Sequence, residues 1–296
     1  MNTTTIDGWN QGIVCFWDAK TANHGFLKGA MGAVGLGKYC PPPYSVGASL
    51  KLAMAEYGRA HRKELLEGFE NRTNTTIEVK RHENANNDGY EMIAVEHGKE
   101  RNEYPRIFSA KVEMNGSECT TLTSGWSVVS DTYQIQAAYE RNRQTCSASS
   151  VGQMLVKMVG LANGTCVREI GGVYYLPDGA ANTWRKLCQA IDSPNGTQIT
   201  WHEIRLNESS MRSIAASITK EITANAQKRF DKVMTGELGA RALANQIESL
   251  KELRGKLHTY EVILDSPLQD VRELLKKARD AANMAHMLTL QDDVPA

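Results

Sequence analysis

The last third of the chain limits its possible folds more than any other segment. From about Asn207 to Leu290, apolar residues recur at three- and four-residue spacing. Met211, Ile214, Ile218, Ile222, Phe230 and Val233 mark one stripe, and Leu243, Ile247, Leu250, Leu257 and Leu264 a second, with charged residues on the other faces. This period belongs to amphipathic helices, and each stripe must be covered. Gly236 and Gly239 separate the first helix from the second, because a glycine inside a helix costs about 1 kcal/mol relative to alanine. Ser266-Pro-Leu-Gln269 reads as a capping box opening a third helix, with Ser266 at the N-cap and Pro267 at the first helical position. The helices can fold back as a bundle or pair with another subunit. Self-association into a homo-oligomer is the expectation, because two long stripes exceed what one short helix covers.

The first two thirds are mixed. Ile13 to Trp17 is a continuous apolar run that suits a buried strand. Helices are expected over about Ala22 to Val34 and Ser45 to Glu70, divided by Pro41-Pro-Pro43, with Ser45 as the N-cap of the second. Between Thr73 and Leu122 the period becomes two. Ile77 and Val79, then Phe108, Ala110, Val112 and Met114, alternate with their neighbours, and Asn87-Asp-Gly89 and Asn115-Gly116 supply left-handed turn residues. That is an antiparallel meander with one apolar face, covered most economically by the helix from Ser45. Beyond Ser130, helices are expected over about Thr132 to Arg143, Ser150 to Leu161 and Ala180 to Ile191, then a strand from Gln198 to Arg205. The fold class is α+β: an N-terminal antiparallel sheet with covering helices (1–129), a middle unit containing a hairpin (130–206) and a helical coiled-coil or bundle region (207–296). The middle unit compares with a winged helix, from which it departs in its final strand.

Within that unit, Cys166 to Ile170 and Val173 to Pro177 flank Gly171-Gly172 as a hairpin. Tyr174 and Tyr175 point to opposite sides of a strand, so only one can join the core. Arg168, Arg185 and Lys186, with Lys157 on the preceding helix, place positive charge around the tyrosines, as a winged helix does for phosphate contacts. These six residues form the candidate binding set for nucleic acid or a partner. The competing reading is an amphipathic hairpin whose Arg and Tyr side chains cover apolar neighbours. The segment Arg168 to Pro177, REIGGVYYLP, resembles one found in uncharacterised bacterial and phage proteins of about this size, which share a mixed N-terminal half, a GGVY-type hairpin and a helical C-terminal region. The resemblance implies a phage or mobile-element role and no particular chemistry.

Motifs that would carry catalysis fail on context. Gly32 to Lys38 approaches a phosphate-binding loop, but Tyr39 replaces the hydroxyl residue, and Cys40 with three prolines prevents the helix that would aim amides at phosphates. Gly35 and Gly37 suit a helix end instead. His202-Glu203 begins like a zinc-protease helix, yet Leu206 stands where the second histidine is needed and the run is β-prone. Ser127 lacks the second glycine of a nucleophile elbow, and Glu64 and Glu67 fit a solvated helix face. Cys15, Cys40, Cys119, Cys146, Cys166 and Cys188 include no close pair, so no disulfide framework, metal site or cofactor is expected. Lys plus Arg equals Asp plus Glu at 34 each, and residues 207–296 hold 13 of each sign. This argues against a basic nucleic-acid-binding domain, although folding can gather scattered charges into a patch. The polar start, Met1 to Asn10, is no secretory signal, and no run reaches bilayer length. The expected protein is cytoplasmic and non-enzymatic, an interaction or scaffold factor with a protein partner that self-associates through its C-terminal helices. The alternatives are nucleic-acid binding through the hairpin unit and an enzyme of unrecognised type.

Overall fold

The computed structural model describes residues 11–67, 69–81, 89–98, 106–115, 118–124, 132–168, 172–192, 197–264 and 266–292. The chain forms two compact units that interleave in sequence. Met1–Asp18, Leu155–Gln189 and Gln198–Ala296 make one, and Ala19–Met154 with Ala190–Thr197 make the other. The divisions drawn at 129 and 206 follow chain order, whereas the units follow strand pairing.

After strand β1 (Gln11–Asp18) the chain enters the second unit through β2 (Ala22–Asn23) and α1 (His24–Ala33). The Asn23 side chain caps α1 by accepting from the Phe26 amide at 3.0 Å. Gly35 follows in the left-handed region, φ +78°, and a 3-10 turn covers Gly37–Tyr39. The glycine-rich stretch therefore closes a helix rather than opening one. Ser45 caps α2 (Val46–Ala60) through the Ala48 amide. The helix stops well short of Glu70, at His61, whose ring stacks on Tyr57 and hydrogen-bonds Glu64 and Gln134. Helix α3 (Arg62–Leu65) follows.

The meander comprises β3 (Thr75–Arg81), β4 (Gly89–Glu96), β5 (Arg106–Asn115) and β6 (Glu118–Ser124), antiparallel neighbours in chain order. The turn signals at residues 87–88 and 116, and Ser127, lie outside the described residues. Leu50, Ala53, Met54 and Tyr57 of α2 pack with Met92, Ala94 and Ile107 of the sheet and with Ile135, Ala138 and Tyr139 of α4 (Thr132–Arg143), so α2 covers the apolar face as its period requires. Strand β7 (Thr145–Cys146) pairs with β2, and α5 (Ala148–Leu161) leads out of this unit.

The first unit is completed by β8 (Thr165–Arg168), β9 (Val173–Pro177), α6 (Ala181–Asp192), β10 (Gln198–Arg205), α7 (Glu208–Met234), α8 (Ala240–Leu264) and α9 (Gln269–Asp292). Its sheet runs β10-β1-β9-β8, with every described pairing antiparallel. On one face Trp17 lies between the rings of Tyr174 and Trp184. On the other, Val14, Val167, Tyr175 and Ile204 join the core of the C-terminal helices. Gly12 is indispensable to that face, because a Cβ there would lie 2.3 Å from the Tyr175 ring.

The two apolar stripes are used within the chain. Ile214, Ile218, Ile222 and Val233 of α7 and Leu243, Leu250, Leu257 and Leu264 of α8 share a core with Val271, Leu275, Ala278 and Ala282 of α9. The three helices thus fold back as a bundle. Helix α9 begins three residues beyond Ser266, because the buried Glu261 carboxylate of α8, rather than Ser266, accepts the Leu268 amide at 2.9 Å. Among the described residues no helix is long and apolar enough to cross a membrane.

Candidate anion-binding cleft

The six residues marked in the sequence lie on α5, β8, β9 and α6. Tyr175 is fully buried, and burial together with Asp178 pushes its phenol up to about 12. Tyr174 is half-buried and lies flat on Trp17, with ring centroids 4.8 Å apart and planes 2° from parallel. Arg185 forms an ion pair with Glu203 of β10 and lies over the Trp201 ring. Arg168, Lys186 and Lys157 are exposed on three different elements, β8, α6 and α5. His202 and Glu203 occupy adjacent positions of a strand and so point to opposite faces, where they cannot share a metal as a helical motif would.

The concentration of positive charge lies instead between α8 and α9. These helices border a cleft of about 770 Å³, with Lys251, Arg254 and His258 on one wall and Arg272, Lys276 and Arg279 on the other, above Leu250, Leu257 and Leu275. Five permanent cations face one lining carboxylate, Glu261. That carboxylate is already engaged: its Oε2 accepts from Arg272 at 2.6 Å and its Oε1 from the Leu268 amide. Burial alone would raise its pKa, but the Arg272 hydrogen bond and the Leu268 amide outweigh it and hold Glu261 below the usual carboxylate range. Lys251 reaches the exposed Glu248 at 3.5 Å, and Arg279 lies 3.8 Å from Asp280. Exposed pairs of this kind contribute roughly 0–1 kcal/mol and leave the charge available. Arg254 and Lys276 have no acidic partner among the described residues, and the Arg279 Nε is buried without a hydrogen-bond partner there.

The opposite side of α8 fixes which residues face the cleft. Lys256 is buried and donates from Nζ to the Gly164 carbonyl and to Glu221 Oε1 of α7, both at 2.6 Å. Thr165 donates to the other oxygen of Glu221 at 2.6 Å. One turn along, Tyr260 packs on Tyr175, and burial raises its phenol far above the usual range. Gly164 can approach so closely because Asn163, at φ 55°, ends α5 and because a Cβ at 164 would lie 2.6 Å from Val159 Cγ1. With 256 and 260 turned to the sheet and α7, helical period turns 251, 254 and 258 the other way.

This site was missed by charge counting. Its rows, 251/254/258 and 272/276/279, have the i, i+3 or i+4, i+7 spacing of a helix face, but Glu248, Glu252, Glu273 and Asp280 on adjacent faces cancel them in any sum. Helical phase, applied to charge rather than to apolar residues, is the signal that would have found them.

No curated protein and no solved structure matches the chain. A family model matches residues 18–292, a span that takes in nearly all of both units. The chain therefore belongs to DUF6744, a family of unknown function.

Proposed function

We propose that the chain acts by binding, and that it holds nucleic acid through phosphates at the α8–α9 cleft. The supporting observation is the convergence of five permanent cations in a chain whose formal net charge is zero. Each phosphate neutralised releases counterions, so such a cleft gains affinity as salt falls, and Arg suits it because the guanidinium fork matches phosphate oxygens. Phosphate contacts position a strand without reading its sequence. The hairpin unit offers less, since Tyr175 is buried and Trp17 covers one face of Tyr174. A cytoplasmic setting, and the phage or mobile-element context implied by the REIGGVYYLP segment, accord with a nucleic-acid ligand. The test is retention of the full chain on DNA between about 50 and 200 mM salt. Arg254→Ala with Lys276→Ala should reduce the salt slope by about 2, one for each phosphate that no longer meets a cation. Arg185→Ala with Lys186→Ala should leave it unchanged. No retention at the lowest salt sinks the proposal.

Self-association is a second element of the proposal. It is supported by Met284, Met287 and Leu288 of α9, exposed at 65%, 62% and 56% and spaced as one helix face. Light scattering should show a lower subunit number for Met287→Lys with Leu288→Lys than for the parent. A monomeric parent removes this element.

A further inference from the structure

We infer that Cys40 and Cys146 form a redox site of the second unit, a dithiol that a low-molecular-weight disulfide such as oxidised glutathione converts to an intrachain disulfide. The cysteines are scattered in the sequence, and folding brings these two together. Both reach one acceptor, the Pro41 carbonyl oxygen, from which Cys40 Sγ lies 3.6 Å and Cys146 Sγ 3.3 Å. The thiols also hydrogen-bond each other. Their backbones are held on both sides. Pro41-Pro-Pro43 fixes its own φ angles and keeps Cys40 extended, at φ −57° and ψ 128°. Cys146 stands on β7 opposite Ala22 of β2. Its neighbours tie the two segments together: the Tyr44 amide donates to the Thr145 carbonyl at 2.9 Å, and Arg143 Nη1 to the Tyr44 carbonyl at 2.8 Å. The freedom left to each sulfur is rotation about its Cα–Cβ bond.

The two thiols are unequal. Cys146 is buried, and burial together with the neighbouring Cys40 pushes its thiol up to about 11. Cys40 is half-buried; burial raises it too, while the charge of Lys28 and the Cys146 hydrogen bond oppose the rise. Cys40 is therefore the thiol that meets the oxidant. Its thiolate attacks one sulfur of the small disulfide and expels a thiolate, leaving a mixed disulfide. Cys146 then gives its proton to that expelled thiolate and attacks Cys40 Sγ, so that the second small thiol departs. The protein thiols lose two electrons and two protons, and the small disulfide takes up both to become two thiols. The new bond closes a loop of about 100 residues containing α2, the meander and α4, and with them the core of Leu50, Met92 and Ile135. Closing so long a loop restricts the unfolded chain, so the disulfide stabilises this unit. With both thiols protonated near neutral pH, exchange is slow and the dithiol persists in a reducing compartment.

The experiment incubates the folded full chain with oxidised glutathione, blocks the remaining thiols under denaturing conditions and maps tryptic peptides by mass. The parent should yield Tyr39–Lys51 joined to Gln144–Lys157 with the loss of two hydrogens. Its melting temperature should rise by at least about 5 °C and return on treatment with dithiothreitol. Cys40→Ser should fold as the parent does and lose both responses. Cys166→Ser, which removes an exposed thiol of β8, should keep both. Oxidation that stops with glutathione on Cys40, linkage that forms only once urea has unfolded the chain, or a linked chain whose melting temperature is unchanged each overturns the inference. A response retained by Cys40→Ser does the same.

Discussion

Two cationic regions of this molecule look alike in sequence and differ in what stands opposite them. Around β9 and α6, Arg185 meets Glu203 and lies over Trp201, and Tyr174 is stacked on Trp17, so the polar and aromatic groups that invite a ligand are engaged by the protein itself. In the α8–α9 hairpin, the one lining carboxylate is committed to Arg272 and the Leu268 amide, and cations outnumber it five to one. Among the cleft cations, Arg254 and Lys276 are the two that meet no acid among the described residues, and the difference teaches that such residues are the most available for recognition. The same contrast appears across α8. Lys256, on the face toward the sheet, is buried against Glu221 and Gly164, while Arg254 two positions earlier has no acid to meet among the described residues.

The largest test of this comparison concerns the two tyrosines. Tyr175→Ala should cost about 3–5 kcal/mol by chemical denaturation, as large buried aromatic truncations do. Tyr174→Ala should cost about 1 kcal/mol, the worth of a stacked pair at the edge of a core. Equal losses would mean that the two faces of β9 are energetically alike. Next comes the buried cation. Lys256→Met should destabilise the fold by about 3 kcal/mol, because it leaves Glu221 and the Gly164 carbonyl without their donor, whereas Arg185→Met should stay within about 0.5 kcal/mol. A neutral Lys256→Met would show that the ion pair does not set the orientation of α8.

The smallest expected effect is a change in pH dependence. Glu261 is held below its ordinary value, 4.5, in the folded state, so its contribution is present above about pH 4.5 and is lost as the pH falls through its native value. The melting temperature of the parent should therefore drop more steeply below pH 4.5 than that of Glu261→Gln. Parallel acid limbs would show that the carboxylate does not tie the α8–α9 turn together.

Much of the local structure was legible. Helix α4 and strand β10 occupy the segments their periodicity marks, Ser45 acts as a cap, and Gly35 closes α1. That one of the adjacent tyrosines would be buried also followed from strand alternation. Which one did not, because it depends on Gly12 of a distant strand admitting the Tyr175 ring. The start of α9 was misplaced for a similar reason: Ser266 had the right chemistry for a cap, but Glu261, across the turn, took the amide. The candidate binding residues around the hairpin were chosen from linear nearness, and the cleft was overlooked because acids on neighbouring helix faces balance its cations.

The sequence by itself determined the elements, the α+β class and the amphipathic stripes, since helix period, strand alternation and capping act over a few residues and need no distant partner. Tertiary structure decided that β1 pairs with β9 and β10, that the stripes cover one another within a three-helix bundle, and that 251, 254 and 258 line the same cleft as 272, 276 and 279. Those outcomes rest on packing between elements distant in the chain. Electrostatic potential depends on distances in space, so a chain with 34 basic and 34 acidic side chains can still gather five cations around one carboxylate.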